Sequence, residues 1–424
     1  MGMMIVSSIY GVVDGLFVSN FAGKTPFAAI NLIMPYIMIF STIGFIFGTG
    51  GSAVVAKTMG EGDKDRANGY FSLFVYVSFA LGVLFAALGI AIVRPVAVLL
   101  GAEGTLLEDA VLYSRIVLAA LPFNALQFMF QPFFSTAEKP QLGLVTTISS
   151  GVMNVALDAL LVLLLPQPYK LVGAAVATAM SQVVGGVIPI VYFGRKNNSI
   201  LRIGKARLDV RAIFKAVTNG SSEFMTNVSM SVVGMLYNIQ LLEYAGENGV
   251  AAYGVMMYVS MIFAAMFIGY SIGVAPVIGY HDGAQNHAEL RGLLRRSTVL
   301  IGGFGVSMVV AGEVLAVPLA ALFVGYDAAL SELTVSGLRI FALSFLFMGY
   351  AIFGSSFFTA LNDGLTSALI SFLRTLVFQV AAVLLLPLIF GIDGIWYSII
   401  VAELMAMALS AAFVVAKRNK YHYM

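Results

Sequence analysis

The stretch SSGVMNVALDALLVLLLP, residues 149–166, places one carboxylate, Asp158, inside a run apolar enough to cross a bilayer, with Asn154 one helical turn before it. SSIYGVVDGLFVSNFAG, residues 7–23, does the same around Asp14. An acid at membrane depth costs roughly 2.5–3.5 kcal/mol on insertion scales, so by default it marks an ion or proton path. Composition settles that these runs are spans. Sixty per cent of the 424 residues are hydrophobic and 10% are charged, and the charges gather between the runs. A span takes about 20 residues. Candidates lie near 2–21, 27–56, 70–93, 110–136, 141–165, 171–193, 212–242, 250–279, 293–323, 335–361, 365–390 and 394–416. The expectation is an all-α membrane protein of about twelve transmembrane helices, with no soluble domain of useful size.

A net charge of +2 argues against nucleic acid as a partner. The chain has no Cys, which removes disulfides, thiolate chemistry and Cys-ligated zinc. His281, His287 and His422 all fall in polar connections or the tail, so neither a histidine metal centre nor any cofactor is expected. An intramembrane enzyme would need a nucleophile with a base, or a metal motif, and the spans offer neither. Basic residues crowd the connections after even-numbered spans, from Lys57, Lys64 and Arg66 to Arg291, Arg295, Arg296 and Lys417, whereas the odd side holds Lys24, Arg94 and Lys170. The positive-inside rule then puts both termini in the cytoplasm of a multi-pass plasma-membrane protein. No charged n-region or cleavage site precedes the first span, so no signal peptide is read and that helix is expected to be slightly truncated.

The chain also matches itself at a shift of about 221–224 positions. FAG at 21–23 meets YAG at 244–246, FFSTA at 133–137 meets FFTAL at 357–361, VLLLP recurs at 162–166 and 383–387, and Gly173 falls on Gly394. Common order and near-constant offset point to duplication. Six spans per copy make the repeats parallel, with the substrate site expected between them near mid-bilayer and rocking of the halves as the motion. The expected organisation is an N-lobe at 1–193, a basic cytoplasmic linker at 194–211 and a C-lobe at 212–424.

At the local offset Asp14 falls on Tyr237, Asn154 on Thr375 and Asp158 on Gln379, so the second copy lacks the acids. It carries Arg374 and Glu403 at matching depth instead, expected to neutralise one another. Asn154 and Asp158 are i and i+4 and share a helix face. With Asp14 brought to that face, two carboxylates and an amide need a proton or a metal cation, and Thr178 on the next span is the hydroxyl member. Carboxylate, amide and hydroxyl oxygens suit Na⁺ as well as H⁺; if Na⁺ couples, Asp14, Asn154 and Asp158 are its ligands. Glu223, Tyr237 and Gln379 are candidates for the substrate cavity. Glu223 has a second account, an acid favoured by the dipole at a helix start. GTGGSAVVAKTMGEGD at 48–63 lacks the order of a phosphate loop and reads as close helix packing before a turn.

YGVVDGLFVSNFAG, GTGGSAVVAKTMGEGD, NVALDALLV and VGAAVATAMSQ, in this order within six spans, resemble the multidrug and toxic compound extrusion (MATE) family. The resemblance implies two six-helix lobes in a V-shaped arrangement and cation-coupled antiport of bulky, often cationic organic compounds. In members with a first-lobe cation site it implies that Asp14, Asn154 and Asp158 carry it and Thr178 assists. Relatives that use second-lobe acids are not matched, since NVSMSVVGML and FLFMGYAIFG contain none. The expected partners are small organic molecules, H⁺ or Na⁺ and the bilayer, with the protein a monomer. The alternative is a flippase for a lipid-linked sugar or another amphiphilic lipid. Its cavity should hold pyrophosphate on several Arg or Lys, yet the spans offer only Arg115, Arg339 and Arg374.

Overall fold

The computed structural model describes residues 2, 3, 6, 24–325 and 327–423. They pack as two compact units, Gly2–Gly220 and Ser221 onward. In the first, α1 (Lys24–Phe45) passes through a π turn at Ile46–Gly50 into α2 (Gly51–Gly60), followed by α3 (Lys64–Leu99), α4 (Gly104–Ala119) and α5 (Leu121–Thr136). Then come α6 (Pro140–Leu157), a π turn at Asp158–Val162, and α7 (Lys170–Gly194). The division falls within α8 (Val210–Gly283), later than the end of the expected linker, because Ala212 and Ala216 belong to the first unit's core. The second unit continues α8 past Gly246, whose φ of 59° and ψ of −150° break it. Next are α9 (His287–Val324), α10 (Ala328–Ala342), α11 (Phe345–Ala360) and α12 (Gly364–Phe372). A π turn at Leu373–Phe378 leads to α13 (Gln379–Leu385), α14 (Pro387–Phe390), α15 (Ile392–Ala416) and α16 (Arg418–Tyr421).

Among the described residues eight helices are long and apolar enough to span, and α10 with α11, bent by 50°, makes a ninth. Of the other expected spans, one is split into the 16-residue helices α4 and α5. Another is the first half of α8, rich in polar residues from Asn219 through Ser231, and the run at 2–21 lies almost wholly outside the described residues.

Duplication is written into the helix bounds. Gly104, Leu121 and Thr136 become Ala328, Phe345 and Ala360, each 224 positions on. The turns repeat as well: Glu138 (φ 58°) and Asn362 (φ 59°) are mates in the left-handed region. Asp63 caps α3 by accepting from Arg66 N at 3.0 Å, and its mate Asn286 caps α9 by accepting from Glu289 N at 3.2 Å. The break between α4 and α5 falls at Ala120, so Pro122 sits in a first helical turn, where no N–H is required. The helices run on through Pro35, Pro132, Pro189 and Pro276.

The first unit buries two apolar clusters. One joins Ile33, Tyr36, Val93, Tyr113, Leu118, Leu121, Val162, Leu171 and Ala174. The other is built on rings: Phe71 meets Phe133 at 5.0 Å and Phe193 at 5.3 Å, and Phe130 stacks on Phe193 at 5.7 Å. Glycines of the GTGG stretch let helices touch, as expected of it. A Cβ on Gly48 would sit 3.1 Å from Met129 Cα, one on Gly51 2.9 Å from the Phe74 ring, and one on Gly50 would collide with the Ala216 carbonyl of α8. Gly220 faces Ile46 in the same way. Gly220→Val should therefore cost about 1–3 kcal/mol or more as an overpacked contact, read as a lower thermal midpoint of the purified protein. An unchanged midpoint would show that the backbone approach is soft.

In the second unit the tail folds back on the connection between α11 and α12. Lys417 Nζ lies 2.6 Å from Asp363 Oδ2 and Tyr421 Oη donates to the same oxygen at 2.9 Å, while Asp363 Oδ1 caps α12 at Thr366 N. Tyr423 is buried, donates to Val414 O at 2.9 Å and meets the Phe357 ring edge-on at 5.0 Å. The His422 ring lies 5.2 Å from that of His287 at the start of α9. Burial pushes the Asp363 carboxyl up, but hydrogen bonds from Lys417, Tyr421 and Thr366 outweigh it and bring it down to about 2 from an ordinary 3.8. A depressed carboxyl stabilises the fold in full above about 4, and that contribution fades as pH falls toward 2. Asp363→Asn should lower the thermal midpoint at neutral pH, losing about 1–3 kcal/mol of charged hydrogen bonding. The gap from the parent should close as pH is lowered from 4 toward 2; a gap independent of pH would assign the effect to shape rather than charge.

Candidate functional site

Polar residues of the first unit are concentrated between its two apolar clusters. Along α5 the first cluster ends at Leu121 and the second resumes at Leu126, with Asn124 between them and Gln127 and Gln131 next on the same face. Along α7 the clusters hold Leu171, Ala174 and Ala175 at one end and Phe193 at the other, with Thr178, Ser181 and Gln182 between. Along α6 and its π turn, Thr146, Thr147, Ser150, Asn154 and Asp158 are all buried before Val162 re-enters the first cluster. These three helices pack on one another. Gln127 Nε2 donates to Ser150 Oγ at 3.2 Å, and Ser150 Oγ to Ser181 O at 2.7 Å. A continuous polar band thus crosses the unit.

Asn154 is 2% exposed and Asp158 0%. Asp158 opens the π turn, and such one-turn departures from α geometry are frequent at functional positions. α7 closes on that turn through Gly173, where a Cβ would lie 3.0 Å from Leu161 Cβ. Thr178 is half-buried and donates to Ala174 O at 3.1 Å, which leaves its oxygen lone pairs as acceptors. The side-chain oxygens of Asn124, Asn154 and Gln182 are buried and accept no hydrogen bond among the described residues. A buried acceptor of this kind costs about 1–3 kcal/mol until a donor or cation satisfies it. Asp14 lies outside the described residues.

The corresponding positions of the second unit are closed. Tyr237 Oη donates to Gln379 Oε1 at 2.8 Å and lies 2.8 Å from Ser398 Oγ, and its ring stacks on Tyr253 at 5.1 Å. Thr375 is buried and donates to Ser371 O at 2.7 Å. The expected charge pair is formed. Arg374 Nε lies 2.9 Å from Glu403 Oε2 and its second nitrogen 2.9 Å from Oε1, with the side chains 15% and 4% exposed.

Glu223 requires a correction. It is the fourteenth residue of a helix that begins at Val210, more than three turns from the amino end, so the dipole of a helix start does not account for it. It is half-buried, and its carbonyl accepts from Asn227 Nδ2 at 2.9 Å. Sequence reasoning passed over Asn124, Gln127 and Gln131. Their spacing of three and four in the otherwise apolar LPFNALQFMFQPFFST was the signal for one polar helix face.

Duplicated bundles of membrane-spanning helices, the first crossed by a buried polar band, have the architecture of a membrane transporter. A family model described as MatE matches residues 1–160 and 224–385, and the chain belongs to that family. It is 26% identical over 430 residues to the multidrug export protein MepA of Staphylococcus haemolyticus, covering 98% of this chain and 91% of that protein. Among solved structures it matches a MATE protein crystallised in complex with MaL6, with a TM-score of 0.93, 21% identity and coverage of 100% and 95%. An outward-facing multidrug resistance MATE family transporter of the MOP superfamily matches with a TM-score of 0.93, 22% identity and the same coverage. These likenesses extend over the whole fold.

Proposed function

We propose that the protein is a cation-coupled antiporter that exports bulky, often cationic organic compounds by alternating access of its two repeats. The observation that carries this reading is the fully buried Asp158, one turn from Asn154, at a π turn inside a band otherwise built of neutral polar groups. The second repeat supports the partnership with Asp14. Tyr237 and Gln379, the mates of Asp14 and Asp158, are bonded at 2.8 Å, so in that copy these two positions meet. In the proposed site Asp14 and Asp158 together hold a proton or Na⁺, with Asn154 and Thr178 supplying neutral oxygens. A cation entering from outside neutralises the pair and favours repacking of the first repeat, and its release inward accompanies expulsion of substrate outward. Since Arg374 and Glu403 satisfy one another, that pair is left with no charge for coupling. MepA is by its name a multidrug exporter, which supports a broad substrate range. Glu223, Tyr237 and Gln379 are the candidate cavity residues of the second repeat.

The proposed setting is the plasma membrane, with the protein a monomer and both termini cytoplasmic. Hydrogen bonds support one-sidedness. Within the first unit the connection at 195–209 touches the turn after α5 through Ser199 to Ala137 and the start of α3 through Arg202 to Asn68; within the second, Lys417 touches the turn before α12. The deciding experiment is substrate efflux from proteoliposomes under separately imposed pH and Na⁺ gradients. One gradient should drive export and name the ion; a response to neither would end the antiport reading.

A further inference from the structure

The connection between the repeats is built as a strap rather than a loose loop. Arg202 N donates to Asn68 Oδ1 at 2.7 Å, Gly204 N to Ser72 Oγ at 2.9 Å, Tyr76 Oη to Gly204 O at 3.0 Å and Ile203 N to Phe193 O at 2.9 Å. Leu201 is buried and Ile203 half-buried in the phenylalanine cluster, so the intervening and following side chains, Arg202, Lys205 and Arg207, stand outward. The acid of this segment, Asp209, is engaged. It caps α8 at Ala212 N at 3.1 Å and accepts from Tyr70 Oη at 3.1 Å. Arg195, Lys196, Lys205, Arg207 and Arg211 are exposed, and none pairs with a carboxylate among the described residues.

Apolar side chains are interleaved with these charges. Leu208 is 76% exposed and Val210 and Phe214 are each 68% exposed. Val210, Phe214 and Val217 recur at i, i+4 and i+7, one stripe on the first two turns of α8, while Ala212 and Ala216 face the core. A stripe of large apolar residues flanked by Lys and Arg, on a helix that then continues as a span, is at home where headgroups meet acyl chains. An acidic soluble partner would satisfy the charges and leave Phe214 and Val210 in water. Topology requires only that positive charge lie in this connection; it does not require a backbone pinned to α3 or an apolar stripe beside it.

We propose that this strap and the first two turns of α8 form a binding surface for anionic phospholipids of the leaflet they face, with Lys205, Arg207 and Arg211 on the headgroups and Val210 and Phe214 in the acyl boundary. The leaflet is cytoplasmic on the orientation given above, and that clause alone rests on the earlier reading. Full-length protein in detergent is titrated with phosphatidylglycerol or phosphatidylcholine, and bound lipid is counted by native mass spectrometry, with the thermal midpoint as a second readout. The parent should retain phosphatidylglycerol in preference to phosphatidylcholine, and its midpoint should rise with phosphatidylglycerol only. The variant Lys205→Gln/Arg207→Gln/Arg211→Gln should retain at least about tenfold less. Phe214→Ser/Val210→Ser, which keeps every charge, should also lose retention. The charge-keeping Arg207→Lys/Arg211→Lys should behave as the parent and so guards against misfolding as the cause. Equal retention of the two lipids, or retention unchanged in the glutamine variant, would overturn the proposal. The side is read independently: the chain has no Cys, so Lys205→Cys labelled by an impermeant maleimide only from outside cells would overturn the leaflet and leave the lipid surface standing.

Discussion

Asp158→Asn is expected to reduce gradient-driven export to the level of empty vesicles while the protein remains folded in the membrane. The substitution keeps the volume of the side chain and removes the charge whose neutralisation is the proposed coupling step. The residue is fully buried beside Asn154, so no exposed group replaces it. Losing the coupling amounts to about 1–3 kcal/mol, or roughly 5–150-fold in the affinity of one ligand on the other. Asp14→Asn should give the same phenotype, and the double variant should be no worse than either, as for two members of one site. Substrate binding without a gradient, measured by fluorescence polarisation, should survive in all three. If both single variants still export under an imposed pH or Na⁺ gradient, the first-repeat cation site must be abandoned.

Glu403→Ala should be the most destabilising single change in the second unit. It leaves Arg374, whose side chain is 15% exposed, without the carboxylate that offsets its charge, at a cost of about 3 kcal/mol, the low end for a fully buried pair. Arg374→Met/Glu403→Leu removes both charges from their 15% and 4% exposed positions and should recover most or all of the lost stability. The check is the thermal midpoint of purified protein by size-exclusion fluorescence for the parent, the single variant and the double variant. The same double variant should keep ion-driven export, since the pair is assigned to structure. Loss of export in a stable double variant would instead move Arg374 and Glu403 into the transport cycle.

Much of this arrangement was open to reading before any coordinates. Long apolar runs located the spans, because a bilayer imposes length and apolarity together. The near-constant shift of FFSTA to FFTAL anticipated a repeat that the starts of α4 and α10 and both ends of α5 and α11 reproduce at 224 positions, the end of α4 differing by one residue. The Arg374–Glu403 pair was expected because two charges at one depth have few other ways to be tolerated. Other features depend on register, which composition does not carry. The π turn at Asp158 leaves no signature in NVALDALLV, and the break at Ala120, marked only by Pro122 two residues on, is hidden within one continuous apolar run at 110–136. The helix-start account of Glu223 fails because the residue lies eleven positions into the expected span at 212–242 and thirteen beyond Val210, where α8 begins. The polar face of α5 was legible in its spacing but hidden by the surrounding phenylalanines.

The buried tail has a consequence for anyone handling the protein. With Tyr423 in the core of the second unit and Tyr421 and Lys417 on Asp363, whatever follows residue 423 leaves from a side chain that cannot come free without breaking those contacts. An affinity tag or fluorescent fusion joined there without a spacer would pull on the turn before α12 and on the start of α9 at His287 together. A spacer of flexible residues, at about 5–6 Å times the square root of their number, sets how far the fused domain stands from that anchor.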